Sequence, residues 1–234
     1  MNENCIDGAM STITAREHHA LYCFDALVKH VHTSPPDAIT EHLQSIIASE
    51  GYKPVPMFVT WNIVDGDRHV LRGCIGTFTE RPIQEGLREF ALTASQRDSR
   101  FPPIRAGDLH ERLDCAVSLL HSFEDASSWD DWDVGVHGIS VSFVLHSKYF
   151  SATFLPEVAE EQQWDCETTM IYLIQKAGCG IDRVETEVLV YTSVMPHEKV
   201  PLKQVLKNMR VERYQSSKCS TSFARFKEFT NTIS

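Results

Sequence analysis

Residues 69–83 read HVLRGCIGTFTERPI, and the way this stretch folds decides the architecture. Its first ten residues are rich in β-branched and apolar types and predict a strand, whereas ERPI opens a helix with Pro82 in the first turn. Upstream, PVPMFVTWNIV (54–64) predicts a second strand, and DGD (65–67) is a hairpin turn signal joining the two. Downstream, RPIQEGLREFALTAS predicts a helix with Ile83, Leu87, Phe90, Ala91 and Ala94 facing inward. A proline-bearing loop, RDSRFPPIRAGDL, leads to a further strand, LDCAVSLLHSF.

That order of strand, strand, helix, strand occurs a second time. VGVHGISVSFVL and YFSATFL predict a strand pair, PEVAEEQ and WDCETTMIYLIQKAG predict helices, and ETEVLVYTSVM predicts a closing strand. Asp165 suits the start of the second of these helices and Gly178 its end. Ahead of the first set, EHHALYCFDALVKHV carries one apolar face, SPPD stops it, and DAITEHLQSIIASEG supplies another helix. Hairpins with helices gathered between them imply an α+β protein with mostly antiparallel sheets in two lobes, not a parallel doubly wound sheet. Residues 1–13 are expected to form a flexible lead-in. Residues 216–234 form a tail in which Phe223, Phe226 and Phe229 suit a short docked helix.

Composition narrows the classes. The chain has 234 residues and is 42% hydrophobic, enough for a sizeable core. No apolar run reaches membrane-spanning length and the first residues lack a secretory pattern, so no membrane contact is expected. Seven cysteines without framework spacing suit a reducing compartment, cytoplasm or nucleus. A net charge of −10 argues against non-specific nucleic-acid binding. Lys199, Lys203 and Lys207, with Arg210 and Arg213 beyond them, read as a solvated helix face.

Strand alternation sets what Cys74 sees. Val70, Arg72, Cys74 and Gly76 share one face, and Leu71, Gly73, Ile75 and Thr77 share the other, the core face. Arg72 then lies about 7 Å along the strand from the thiol, and a nearby cation favours the reactive thiolate. Glycine inside a strand marks a bulge or a close approach by backbone or ligand. A small buried residue is the competing reading of Cys74. His137 shares parity with Ile139, Val141 and Phe143 and is expected to point inward. Glu157 follows Pro156 in a first helical turn, where the dipole favours its ionised form. Asp98, Ser99 and Arg100 suit either a loop self-cap or an anion-binding edge. No metal site is expected: there is no CxxC or HExxH, and His18 and His19 should diverge on their helix. EDASSWDDWD lacks the glycine and closing glutamate of a calcium loop and reads as a solvated loop.

Taken together, LRGCIGTF, GLREFALTASQRDSRFPP, DWDVGVHGI and ATFLPEVA, with VSLL, FED, WD and RY, make residues 17–215 resemble the AMMECR family, named for the Alport syndrome, midface hypoplasia and elliptocytosis chromosomal region. The resemblance implies an α+β domain over residues 14–215, in two lobes with a cleft between them, and no defined reaction or cofactor. Family motif positions fall on Arg72, Gly73, Cys74, Gly76, Asp98, Ser99, Arg100, His137, Gly138, Pro156 and Glu157. Some prokaryotic members carry a cysteine just before the KAG segment. Ile174 and Gln175 stand there in this chain, with Cys179 just beyond.

Two functions follow as expectations. One is an enzyme-like cleft in which Cys74, His137 and Glu157 act on a small anionic substrate. Arg72, Gly73, Gly76, Asp98, Ser99 and Arg100 bind it. The alternative is a non-catalytic binding or regulatory module that contacts a protein partner.

Overall fold

A computed structural model describes residues 13–32, 37–184 and 187–233. The expected lead-in lies outside these residues apart from residue 13, as does most of the SPPD stop. The chain divides into two units. One comprises residues up to Leu120 together with Ser217 onward, and the other comprises His121–Ser216.

In the first unit, helices α1 (Glu17–Val31), α2 (Asp37–Ser49) and α3 (Ile83–Gln96) accompany strands β1 (Val55–Asp65), β2 (Arg68–Arg81) and β3 (Leu113–Asp125, which runs on into the second unit). β1 is central, antiparallel to β2 on one side and β3 on the other. The apolar face read from the sequence of α1 is buried, with Ala20, Cys23, Phe24 and Leu27 inaccessible to solvent. Trp61 anchors this core: its ring meets Phe24 edge-on, and its indole N–H donates to the Ala91 carbonyl at 3.0 Å. That bond satisfies the one polar atom the ring buries.

The second unit begins with β4 (Gly138–Leu145) and β5 (Lys148–Phe154), followed by α4 (Pro156–Glu161) and α5 (Cys166–Lys176). Next come β6 (Cys179–Val184), β7 (Glu187–Thr192), β8 (Val200–Pro201) and α6 (Leu202–Lys207). β9 (Arg210–Ser222) carries the chain back to the first unit, where α7 (Phe223–Ile233) ends it. Here β4 lies between β5 and β9, and β6, β7 and β8 make a separate small sheet. All these pairings are antiparallel, which makes the protein α+β. Asp165 caps α5 by accepting the Thr168 N–H at 2.8 Å, and Gly178 supplies a φ of 100° just past the helix end. Both caps act as their residue types require.

Two elements differ from expectation. The lysine ladder is not one helix face: α6 holds only Lys203 and Lys207, while Arg210 and Arg213 sit on β9. Lys199 instead pairs with Asp182. The tail helix is preceded by the end of β9, and its Phe226 is buried against Phe24. Among the described residues, no helix is long and apolar enough to cross a membrane.

Candidate functional site around Cys74

The hairpin of β1 and β2 contains an irregularity that matters for the thiol. From the turn, the strands pair as Asp65 with Arg68 and Asn62 with Leu71, but Trp61 pairs with Gly73. Arg72 is the extra residue of a β-bulge. Continuing the turn's register would set Cys74 opposite Val59; the bulge shifts it opposite Thr60. The Thr60 hydroxyl consequently donates to Cys74 Sγ at 3.2 Å.

The expected face assignment holds only on one side of the bulge. Gly73 is buried and Ile75 packs on the core, whereas on the turn side Leu71 is 39% exposed and Val70 52%. The glycines are explained by the protein's own atoms. A Cβ at Gly73 would overlap the Ala94 carbonyl of α3, and one at Gly76 would overlap the Met57 carbonyl and the Phe58 ring.

The RDSRFPP loop closes over this strand. Asp98 is buried, and its Oδ2 accepts the Cys74 backbone N–H at 2.9 Å. Arg100 donates from Nε and Nη2 to the same carboxylate at 2.9 and 2.7 Å, and from Nη2 to the Cys74 carbonyl at 3.1 Å. The Asp98 carboxylate also accepts the Arg100 backbone N–H at 3.2 Å, closing the loop on itself. Together a carboxylate and a guanidinium take the place that a neighbouring strand's N–H and C=O would fill. This covers the edge of β2 at Cys74. The bonds from Arg100 hold the Asp98 carboxyl well below the usual carboxylate range. Arg72 does the corresponding work further along the loop, donating to the carbonyls of Pro102 at 2.6 Å and Pro103 at 3.4 Å. Arg72 is therefore a loop clamp with its guanidinium engaged internally, whereas the Arg100 side chain remains 54% exposed. Ser99 is exposed in the same loop.

His137 and Glu157 belong to the second unit. His137 lies just before β4, and its Nδ1 accepts the Asp133 backbone N–H at 3.0 Å, which puts the ring proton on Nε2. Glu157 is half-buried in the first turn of α4, behind Pro156. Between these motifs stands Tyr214, fully buried, whose hydroxyl donates to the Phe154 carbonyl at 2.9 Å and meets Thr153 Oγ1 at 3.0 Å. Burial, with Glu157 and Glu212 adding to it, pushes the Tyr214 phenol well above its ordinary range. Gly138 is required because a Cβ there would strike the Tyr214 ring. Cys179 is not a reactive second thiol: it is buried, and burial pushes it up to about 11.

Two further sequence expectations change. The acidic loop is internally bonded, not simply solvated. Asp131 accepts from Ser127 N–H at 2.9 Å and from Arg213 Nη1 at 2.8 Å, and Arg213 Nε also reaches Glu124 at 2.9 Å. His18 and His19 converge instead of diverging, with their Nε2 atoms 3.0 and 2.8 Å from the two oxygens of Glu50. These ligand-type atoms all lie within 4.8 Å of one another. However, His19 Nδ1 accepts the Arg16 backbone N–H at 3.0 Å, so its proton sits on Nε2 and is donated to Glu50. A metal at Nε2 would have to break that bond. The trio is a hydrogen-bonded clamp between the start of α1 and the end of α2.

A family model described as AMMECR1 matches residues 20–195. The chain belongs to the AMMECR1 family. An uncharacterized protein of Arabidopsis thaliana is 41% identical over 172 residues, covering 71% of this chain and 74% of its own. An uncharacterized protein of Kluyveromyces lactis is 34% identical over 231 residues, 92% of this chain and 95% of its own. The crystal structure of an uncharacterized Pyrococcus horikoshii protein superposes with a TM-score of 0.61 over 89% of this chain and 92% of that one. At 22% identity it shows the shared fold. The AMMECR1 match spans LRGCIG, the Asp98 loop, His137 and Glu157. Sequence reasoning gave no role to Thr60 or Tyr214. Thr60 needed the bulge at Arg72 to be known, and the signal for Tyr214 was its place in the RY motif (213–214) of the resemblance.

Proposed function

We propose that this AMMECR1 protein is an enzyme-like protein in which Cys74 acts as the nucleophile on a small anionic substrate, working in the cytoplasm or nucleus. The observation that carries this reading is the Thr60 hydroxyl donating to Cys74 Sγ. A donor on sulfur favours thiolate over thiol, and thiolate is the attacking species. Arg100 adds a cation next to the Cys74 carbonyl and offsets the negative charge of Asp98. Of the two arginines, the half-exposed Arg100 is the better receptor for a substrate anion, with Ser99 beside it and Gly73 and Gly76 keeping the strand thin. His137, offering its Nε2–H as a hydrogen-bond donor, and Glu157 as its orienting carboxylate complete the proposal. Each is tested by its own substitution, His137→Asn or Glu157→Gln.

Competition labelling with iodoacetamide at pH 7, resolved by peptide mass, tests the thiol. Cys74 should alkylate faster than an unstructured cysteine peptide, and Cys115 and Cys179 slower. A Cys74 rate at or below that of the peptide removes the nucleophile.

One observation favours the binding-module alternative. Gly73, Gly76, Asp98 and Arg72 are all engaged by internal packing or hydrogen bonds. Under that reading Cys74→Ser keeps cellular function. Under the enzyme reading it abolishes it while the fold persists.

A further inference from the structure

The second unit contains a hollow of about 800 Å³ that does not involve Cys74 or its loop. Its size falls within the roughly 300–1,000 Å³ typical of small-molecule sites. The floor is apolar, made by the buried Leu202, Leu206 and Val211 with the half-buried Met209, and Trp129 forms a wall. The walls are pinned before any ligand arrives. Ala126 N–H donates to the Val211 carbonyl at 2.9 Å, Trp132 Nε1–H donates to the Trp129 carbonyl at 3.1 Å, and Ser127 is tied to Asp131. A preformed apolar recess saves the ordering cost that a floppy one incurs on binding.

Its rim is charged in an uneven way. Lys203 and Lys207 stand four residues apart on α6, exposed, with no hydrogen-bond or ion-pair partner among the described residues. Arg210 is already neutralised by Asp125 at 2.8 Å, which leaves Glu167 as the uncompensated negative group of the lining among the described residues. In a chain of net charge −10, a pair of unmatched lysines beside an apolar recess is locally against the average field. We propose that this hollow binds an amphiphilic anion of small-molecule size. Its aliphatic or aromatic body lies on the Leu202, Leu206 and Met209 floor, and a single carboxylate, sulfonate or phosphate head meets Lys203 and Lys207. The proposal goes beyond the Cys74 reading and is independent of it.

Fluorescence anisotropy of 1-pyrenebutyrate titrated with the full chain tests it, with 1-pyrenebutanol as the same body without the charge. Saturable one-to-one binding of the butyrate is expected, with the alcohol weaker by about tenfold. Lys203→Glu/Lys207→Glu should lose about tenfold, the scale of two reversed rim charges. Trp129→Ala should weaken both probes equally, and Lys53→Glu, exposed and outside the lining, should change neither. Unaltered thermal melting of the double-lysine variant shows that the fold is kept, as expected for two exposed side chains. Equal affinity of the two probes, unchanged affinity in the folded double variant, or no saturation by about 1 mM would each overturn the proposal.

Discussion

Two glycine-bearing segments, LRGCIG in the first unit and VHGI in the second, look alike in sequence but owe their glycines to different neighbours. On β2, Gly73 is held against backbone: a Cβ would run into the Ala94 carbonyl of α3. At the start of β4, Gly138 is held against a side chain, the ring of Tyr214. Glycine beside a polar residue is therefore no pointer to a ligand by itself. In LRGCIG it lets a helix approach so closely that the following loop folds back over Cys74. In VHGI it makes room for a buried phenol.

The difference predicts unequal repair. Gly73→Ala should destabilise the protein by about 3 kcal/mol, the upper end for overpacking, because the struck atom is backbone. Gly138→Ala should cost about 2 kcal/mol, and combining it with Tyr214→Leu should recover part of that loss because the obstructing ring is gone. No side-chain truncation should rescue Gly73→Ala. Urea unfolding of Gly73→Ala, Gly138→Ala, Tyr214→Leu and the Gly138→Ala/Tyr214→Leu double variant decides the matter. A rescue of Gly73→Ala by trimming a neighbouring side chain would break the contrast.

Asp98 comes next in size. It is buried with one oxygen on the Cys74 N–H and both on Arg100, so Asp98→Asn should cost about 2 kcal/mol at pH 7. Its folded-state pKa is depressed, chiefly by the bonds from Arg100. Its contribution is thus fully present above the unfolded value of about 3.9 and drains away as pH falls below it. The wild-type and Asp98→Asn stabilities should converge between about pH 4 and pH 2. A constant gap across that range would mean that packing, not charge, is what Asp98 contributes. Nothing in the second-unit segment should show this acid limb, because the group beside Gly138 is a phenol with a raised pKa, neutral throughout.

How much of this was readable beforehand depends on where the signal lies. The β1–β2 hairpin, α3 and the caps of α5 were legible because their period, turn residues and cap residues agree. β9 was not. Of its thirteen residues only Val211, Tyr214 and Thr221 are buried, so it lacks a strand's apolar alternation, and the lysine spacing before it imitates a longer helix. The coupling of Asp98 to Cys74 was half legible, since a loop self-cap was one of the two readings of RDSR. Its extension to the Cys74 backbone was not, because residues 24 apart in sequence announce no contact. The convergence of His18 and His19 on Glu50 escaped because the angular rule for adjacent helical residues ignores how far an imidazole can swing in a first turn. Thr60 was the least legible. Which of Val59 and Thr60 faces the thiol depends on one bulged residue, and Arg72 carries no bulge signal of its own.

That single-residue shift sets up the smallest predicted effect and the sharpest one. Thr60→Val keeps the shape at the thiol and removes only the donated hydrogen bond. The rate of Cys74 alkylation at pH 7 should then fall about threefold, in line with a bond worth about 0.7 kcal/mol to the thiolate. Thr153→Val makes the same exchange beside the other segment, where the hydroxyl meets Tyr214. It should leave Cys74 labelling untouched and lower stability instead, by about 1 kcal/mol, because it takes a partner from a buried phenol. If both variants slowed the labelling equally, the hydroxyl at Thr60 would have no special hold on the sulfur. The bulge that brings it there would then be a packing device and nothing more.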